Sequence, residues 1–388
     1  MYLRLLNLPI GERDSLFLLG PRGTGKTAWL NHHVPESIYL DLLDFTVYSQ
    51  LLASPSRLKE KIPDHYQGWV ILDEIQRIPE LLNEVHRLIE NQKIRFILTG
   101  SSARKLKRHG VNLLAGRALR YSMHPLVPQE LNQDFKLKQS LEFGLLPAVY
   151  TYADPVRYLS TYIQTYLQEE IVQEGLTRNL TTFTRFLEVA SFSQGATINA
   201  TEIAREVGID RQMIQNYFSI LEELLIAHRI PAFIKRAKRR LIQKDRFYYF
   251  DAGVYRYLRP KGILDQPSEV EGAGLETCFM QIFLALNDYY RWNMRLYYWR
   301  TSNGLEVDFI VYGEMGLWAF EIKHTQHITP RMLHGLKEFQ SDYPMAQCYL
   351  LYLGKETLYL ENHITVYPME WALINLPKIL VPDSLGVK

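Results

Sequence analysis

The sequence is poor in cysteine and contains no long uncharged apolar run. Its two cysteines, Cys278 and Cys348, stand in apolar surroundings and lack a partner motif. This pattern argues against a disulfide framework and favours buried thiols of a reducing compartment. The first residues lack the apolar stretch of a signal peptide, and no later stretch has the length and apolarity of a membrane span. We therefore expect a cytoplasmic protein without a membrane segment.

The chain also has little net charge. Lys and Arg together number 44 and Asp and Glu 42, which leaves a formal net charge of +2. The overall charge therefore argues neither for nor against binding to nucleic acid, and any basic surface must be local. At 388 residues the chain is long for a single domain, so about two or three domains are expected.

The clearest motif lies near the start, where the sequence reads GPRGTGKT. It follows the apolar run Leu16–Leu19, suited to a buried strand, and precedes a helical pattern, which is the context that a phosphate-binding loop requires. Glycines allow the loop to turn its N–H groups toward a phosphate at the helix start. We expect Lys26 to reach the β- and γ-phosphates of ATP and Thr27 to hold Mg²⁺. The predicted nucleotide-binding residues of the loop are Gly20, Pro21, Arg22, Gly23, Thr24, Gly25, Lys26 and Thr27.

Two further apolar runs, which we predict to be strands, end in polar side chains. The run Trp69–Leu72 ends in Asp73 and Glu74, and acids at the carboxyl end of a parallel strand face the ligand crevice. We expect Asp73 to lie in the magnesium shell and Glu74 to activate the attacking water.

The second of these runs, Phe96–Leu98, is followed by Thr99 and Ser101. Either side chain could sense the γ-phosphate, and a capped turn between strand and helix is an equal alternative. Farther along, Arg117 follows an amphipathic helical pattern and could serve as an arginine finger. Arg120 is its competitor, and a surface arginine remains the ordinary alternative for both.

The segments GPRGTGKT, LDEIQRIPELL, FILTGSSARKL and NLLAGRAL, in this order, resemble the prokaryotic AAA-type ATPases fused to a C-terminal domain of unknown function. The resemblance continues through NYFSILEELL, FYYFDAGVYRYLRPKG and GLEVDFIVYGEMG. It implies Mg²⁺-dependent ATP hydrolysis. AAA proteins at large carry Asn in the sensor strand, where this chain has Thr99 and Ser101. This departure, with no clear second sensor arginine, argues against a ring that hydrolyses ATP in trans.

The middle of the chain predicts a winged helix. A short helix begins near Asn199 or Thr201, and a turn through Gly208 leads to a second helix capped by Asp210. Its exposed residues are of the types that read base edges: Arg211, Gln212, Gln215 and Asn216. A basic run follows where a wing could contact phosphates: Lys235, Arg236, Lys238, Arg239, Arg240, Lys244 and Arg246. The alternative is a lid or protein-contact module without DNA.

The C-terminal third is similar to the core of the PD-(D/E)xK nucleases. An apolar helix carries Glu276, one predicted strand carries Asp308, and the next carries Glu321 and Lys323. Residues two apart on a strand point to one face. We expect Asp308 and Glu321 to share Mg²⁺, Lys323 to orient a water, and Glu276 to complete a catalytic set. A degenerate fold with a structural Asp–Lys pair is the alternative.

The sequence thus predicts an α/β protein of three parts. Residues 1–125 form a P-loop domain with a parallel sheet, residues 126–245 a helical segment with a winged helix, and residues 246–388 a small nuclease-like α/β domain. The predicted function is ATP hydrolysis coupled to nucleic-acid binding or processing. The alternative is an ATP-gated signalling or protein-interaction switch whose nuclease-like domain is inactive. ATP is the expected partner, with DNA and a second copy of the chain as open possibilities.

Overall fold

The N-terminal part is built on a parallel sheet. The computed structural model describes residues 2–10, 14–102, 118–167, 180–235, 241–260, 262 and 267–381. The strands are β1 Ser15–Leu19, β2 Ile38–Asp41, β3 Trp69–Asp73, β4 Arg95–Gly100 and β5 Ala118–Ser122. They lie in the order β2-β3-β4-β1-β5, and every neighbouring pair is parallel. The apolar runs are buried as strands covered on both faces should be, which confirms the predicted α/β class.

Among the described residues, three α-helices accompany this sheet: α1 Lys26–His33, α2 Phe45–Ala53 and α3 Leu81–Gln92. The apolar positions of α3 recur at helical spacing, and Leu81, Leu82, Val85 and Leu88 are all buried. Because the strands are parallel, the loops after β1, β3 and β4 leave the sheet at the same edge. This edge holds the GPRGTGKT loop, Asp73 and Gly100.

The middle part is mainly helical. Its helices are α4 Pro128–Leu131, α5 Leu137–Phe143, α6 Pro155–Thr161, α7 Leu180–Ser191, α8 Ala200–Val207 and α9 Arg211–Glu223, and a π-helix, Tyr162–Leu167, continues α6. Two antiparallel strands follow, β6 Ala227–Ile230 and β7 Arg246–Tyr249. We call this pair the β6–β7 hairpin.

Helices α8 and α9 form the expected pair around a tight turn. The side chain of Asn199 accepts a hydrogen bond from the backbone of Glu202, and that of Asp210 accepts one from Met213, so each helix has an N-cap. Gly208 between them adopts a left-handed conformation with φ 81°. Met213 of α9 is 39% exposed, so it lies outside the buried face of that helix.

The C-terminal part is a mixed sheet with helices on its faces. Its helices are α10 Ala252–Leu258, α11 Pro267–Tyr289, α12 His334–Asp342, α13 Met369–Ile374 and α14 Leu376–Leu380. Its strands are β8 Arg295–Arg300, β9 Glu306–Gly313, β10 Gly316–Lys323, β11 Gln347–Tyr352, β12 Leu358–Leu360 and β13 Ile364–Pro368. The order is β12-β13-β11-β10-β9-β8. Strands β8, β9 and β10 are antiparallel, and β11 runs parallel to β10.

The parts pack closely against one another. Leu126, Leu131 and Leu145 share one hydrophobic core with Phe279 and Phe283 of α11, so the segment after β5 is built onto the C-terminal part. Both cysteines are buried free thiols. In the described parts of the chain, none of the helices has the length and apolarity to cross a membrane.

Candidate functional site

The loop after β1 has the backbone of a phosphate cradle. Gly23 and Gly25 have φ values of 83° and 94°, in the left-handed region, which only glycine adopts readily. Helix α1 begins directly after the loop, so its free N–H groups face the same space. A Cβ at Gly20 would lie 2.2 Å from the carbonyl oxygen of Met123, so this position also requires glycine. The loop residues therefore fit a nucleotide phosphate.

Lys26 is held inside the loop. Its Nζ donates to the carbonyl oxygens of Gly20, at 2.7 Å, and Pro21, at 3.2 Å, and the residue is 6% exposed. Phosphate oxygens are stronger partners for an ammonium group than these neutral carbonyls. The side chain is therefore placed where a nucleotide phosphate can compete for it.

Thr27 and Asp73 come together beside the loop. The hydroxyl of Thr27 donates to Asp73 Oδ2 at 3.1 Å. The same carboxylate accepts hydrogen bonds from the hydroxyls of Tyr39 and Thr99. Burial and the Asp73 carboxylate raise the pKa of Tyr39, so its hydroxyl stays a donor. A hydroxyl and a carboxylate oxygen side by side are a donor set that suits Mg²⁺ together with phosphates.

Glu74 lies next to this pair in a constrained conformation. Its φ is 59°, which is uncommon for a residue with a side chain. Its backbone N–H donates to Thr99 Oγ1 at 3.1 Å. Its carboxylate accepts hydrogen bonds from Gln76 and, at 3.3 Å, from the hydroxyl of Ser101. Thr99 and Ser101 thus contact the two predicted acids, while Gln76 escaped the sequence analysis because its role depends on a turn.

Lys26, Thr27, Asp73 and Glu74 line one cavity of about 530 Å³. The loop, Asp73 and Glu74 form one wall. Pro147, Ala148 and Tyr158, from the segment before and within α6, form another. The hydroxyl of Tyr162, in the π-helix, also donates to the carbonyl of Arg22 at 2.9 Å. The middle part of the chain therefore closes the loop's outer side.

Arg4 holds the loop from the opposite side, and no motif pointed to it. Its guanidinium donates to the carbonyl of Thr24 at 2.6 Å, the carbonyl of His124 at 2.6 Å and the hydroxyl of Tyr289 at 3.0 Å. It also pairs with Glu130 at 3.0 Å, with both side chains almost fully buried. One residue near the start thus ties the loop to the end of α11.

Of the two candidates for an arginine finger, Arg117 lies outside the described residues. Arg120 is exposed on β5, where it lines a separate groove with Asn287 and Arg291. That groove differs from the cavity lined by Lys26.

In the C-terminal part, the predicted acids and lysine converge in one buried cluster. Lys323 Nζ lies 2.5 Å from Glu321 Oε1 and 3.9 Å from Asp308 Oδ2. Asp308 and Glu321 are 3% and 4% exposed. Glu276 of α11 faces the same cluster, where it accepts a hydrogen bond from the hydroxyl of Tyr248 at 2.7 Å. We refer to Glu276, Asp308, Glu321 and Lys323 as the acidic cluster.

The side chain of Arg246, on β7, lies in the acidic cluster. The prediction that it contacts a phosphate is therefore wrong. The sequence grouped it with the basic run, but it is 3% exposed and its guanidinium faces inward. It lies 3.4 Å from Asp308, 3.9 Å from Glu276 and 2.9 Å from Glu306. The guanidinium carbon also lies 4.8 Å from the ring centre of Tyr298.

Burial governs the protonation of the cluster. It raises the pKa of Glu276 to about 8, with the negative charge of Asp308 adding to the effect and Arg246 opposing it. Burial and Asp308 likewise raise the pKa of Glu321 well above its ordinary value. Burial acts to lower the pKa of Lys323, but Asp308 and Glu321 outweigh it and the net shift is upward. Lys323 is therefore a firmly held cation.

The oxygens that a divalent ion would need are largely engaged. Asp308 Oδ2 accepts from the backbone of Ile322 at 2.9 Å, and Oδ1 faces Arg246. Of the cluster's carboxylates, only Glu321 has an oxygen, Oε2, that is buried without a hydrogen-bond partner. Across the residues that the structure describes, no three His, Cys, Asp or Glu side chains are arranged to hold a metal ion. The cluster in this arrangement therefore does not fit the Mg²⁺ predicted at Asp308 and Glu321.

The helix pair α8–α9 presents its predicted surface to solvent. Arg211, Gln212, Gln215 and Asn216 are all exposed. Of the basic run, residues 236–240 lie outside the described residues. Lys235 and Lys244 are exposed, and Lys235 Nζ lies 4.5 Å from the ring centre of Tyr312.

Three family models match successive segments of the chain. Residues 12–132 match the AAA domain model. Residues 134–265 match a domain of unknown function (DUF8612), and residues 271–372 match another (DUF4143). The chain therefore combines an AAA domain, which is P-loop ATPase-like, with a C-terminal DUF4143 domain, as the resemblance implied.

Two similar proteins carry the description uncharacterized protein. They come from Mycobacterium bovis and Mycobacterium tuberculosis, and each is 25% identical over 373 residues, which is 92% of this chain and 80% of theirs. Among solved structures, the Aeropyrum pernix Orc1 protein in complex with DNA is similar with a TM-score of 0.25 and 14% identity, covering 69% of this chain and 87% of that one.

Proposed function

We propose that the protein binds and hydrolyses ATP with Mg²⁺ at the loop Gly20–Thr27. One observation carries this proposal: Lys26, Thr27, Asp73 and Glu74 line a single cavity beneath a glycine loop. Lys26 would neutralise phosphate charge, and Thr27 and Asp73 would hold Mg²⁺, which polarises the phosphates when bound. Glu74 would orient and deprotonate the attacking water once Gln76 and Ser101 release its carboxylate.

Two substitutions test this assignment. Lys26→Ala should abolish ATP binding, because its charge stabilises the bound ground state. Glu74→Gln should keep binding but stop turnover, because a glutamine cannot take the proton. ATP affinity and phosphate release are measured separately, with and without Mg²⁺. Hydrolysis by Glu74→Gln at the wild-type rate would show that Glu74 is not the base.

We further propose that α8, α9 and the β6–β7 hairpin form a winged helix that contacts duplex DNA. The exposed Arg211 and Gln212 at the start of α9 support it, since such residues read base edges. Removing the charges of Lys238, Arg239 and Arg240 should weaken binding and reduce its salt dependence by about one unit per lost phosphate contact. If the salt dependence does not change, the helix pair is better assigned as a lid.

A second candidate function is favoured by Arg246. Asp308, Glu321 and Lys323 lie on neighbouring strands, which is the pattern expected for a nuclease-like core, yet Arg246 engages Asp308. This supports an ATP-gated switch whose C-terminal domain does not cut nucleic acid in this arrangement. Wild type and Asp308→Ala should then behave alike on single-stranded, duplex and branched substrates with Mn²⁺ and ATP. Cleavage that Asp308→Ala abolishes would instead establish a nuclease.

A further inference from the structure

The backbone of Arg246 lies in the β6–β7 hairpin, whereas its side chain contacts residues of the C-terminal part. It is the first residue of β7 and pairs with Ile230 of β6. Its side chain leaves the β6–β7 hairpin and ends among carboxylates carried by α11 and β9. The hairpin therefore contributes a cation, Arg246, to a site whose acids all lie on other elements.

A second side chain of the hairpin also contacts this site. Tyr248, two residues along β7, donates its hydroxyl to Glu276 Oε2 at 2.7 Å. Gly195, which precedes the hairpin, packs so closely that a Cβ there would lie 3.0 Å from the same oxygen. Docking of the hairpin thus determines both the charge and the hydrogen bonds around Glu276.

The charges show why a cation is needed at this point. Asp308 and Glu321 are buried and Glu276 is partly buried, and Lys323 lies at the Glu321 side, 2.5 Å from that carboxylate. On the other side, Asp308 Oδ1 and Glu276 Oε2 face the guanidinium. An ionised carboxylate that is buried without a partner is costly. Protonation relieves Glu276, whose pKa burial raises to about 8, so the charge that Arg246 compensates on this side is that of Asp308.

We propose that Arg246 is an internal plug, which takes the place of a divalent cation beside Glu276 and Asp308. The plug and a divalent cation compete for the same carboxylate oxygens. This inference does not depend on the chemistry of the ATP loop.

The test measures Mn²⁺ binding by electron paramagnetic resonance, using the full chain without nucleotide. Wild type and Asp308→Asn should bind equal amounts of Mn²⁺, because the plug keeps the ion from Asp308. Arg246→Met, which keeps an apolar chain of similar length, should gain one Mn²⁺ site with affinity increased by about tenfold or more. The double variant Arg246→Met/Asp308→Asn should lose that site again.

A matched control removes one arginine charge from the sheet that carries Asp308 and Glu321. Arg295 lies on β8 and is exposed, so Arg295→Met should bind Mn²⁺ as wild type does. A milder variant covers the case in which Arg246→Met does not fold. Glu306→Gln removes the shortest contact of Arg246, and Glu306 is 37% exposed in its side chain, so the change is tolerable. It should make Asp308-dependent Mn²⁺ binding measurable.

Two results would overturn the proposal. The first is an Mn²⁺ site in the wild type that Asp308→Asn removes, because the ion would then bind with Arg246 in place. The second is a folded Arg246→Met, or failing that a folded Glu306→Gln, that gains no Asp308-dependent Mn²⁺. Either result would make Arg246 a structural ion pair that excludes nothing.

Discussion

Replacement of Arg4 by Met should weaken both the fold and the ATP loop. The guanidinium makes four hydrogen bonds, to Glu130, Thr24, His124 and Tyr289. Loss of one partner from a buried ion pair typically costs 3–5 kcal/mol. Glu130 also accepts hydrogen bonds from the backbone N–H groups of Leu5 and Val127, which reduces the penalty of leaving it alone. We therefore expect the free energy of unfolding to fall by about 3 kcal/mol.

A double-mutant cycle separates the ion pair from the other contacts of Arg4. If much of the loss comes from the stranded Glu130 carboxylate, then Arg4→Met/Glu130→Gln should be more stable than the sum of the single changes predicts, by about 1–3 kcal/mol. Urea unfolding of the four proteins measures this. Additive effects would refute the view that Arg4 and Glu130 act as a pair, and would assign the stability to the carbonyl contacts.

The loop contact predicts a separate effect on nucleotide binding. The bond from Arg4 to the Thr24 carbonyl fixes the loop between two glycines, so its loss should increase the KM for ATP by about three- to tenfold. Arg57→Met is the control, since Arg57 is exposed and its loss should change neither quantity. An unchanged KM in a folded Arg4→Met would show that the loop keeps its shape without this donor.

Two further predictions concern the π-helix and the hairpin. Tyr162→Phe removes the hydrogen bond to the Arg22 carbonyl, so ATP affinity should fall by about 1 kcal/mol in a binding titration; an unchanged affinity would contradict a role for the π-helix in holding the loop. Burial, then the charge of His124, lower the pKa of His228 from 6.5 to about 4, while Asp288 opposes them. Between pH 6.5 and pH 4, His228 therefore binds a proton more readily in the unfolded chain than in the folded one. The stabilisation present above pH 6.5 is lost as the pH falls toward 4, by at most about 1.4 kcal/mol per pH unit. His228→Leu should flatten this dependence in urea unfolding, and an equally steep curve would assign it to other groups.

Where local chemistry determines structure, the sequence was informative. The loop glycines Gly23 and Gly25 adopt the left-handed conformations that the motif requires. The caps at Asn199 and Asp210 form as expected, because a capping side chain bonds to backbone only a few residues away. Parallel strands followed from short apolar runs alternating with helices.

Long-range electrostatics could not be predicted in the same way. Arg246 stands in a run of basic residues, and nothing local distinguishes it from exposed neighbours such as Lys244. Its partners Glu276 and Asp308 are distant in sequence, and only the docking of β7 against α11 brings them together. Arg4 is another such case, since its pairing with Glu130 depends on how the N-terminal segment packs.

Helix α11 connects the two candidate sites within one rigid element. Tyr289 at its end receives a hydrogen bond from Arg4 beside the ATP loop, and Glu276, about four turns away, lies in the acidic cluster. Coupling between sites is reciprocal, so an effect of ATP on the cluster would appear as an effect of Mn²⁺ on ATP affinity. Because Glu74→Gln should hold ATP without turnover, Asp308-dependent Mn²⁺ binding can be compared in that variant with and without ATP. Equal binding would mean that α11 serves as a fixed support and does not couple the two sites.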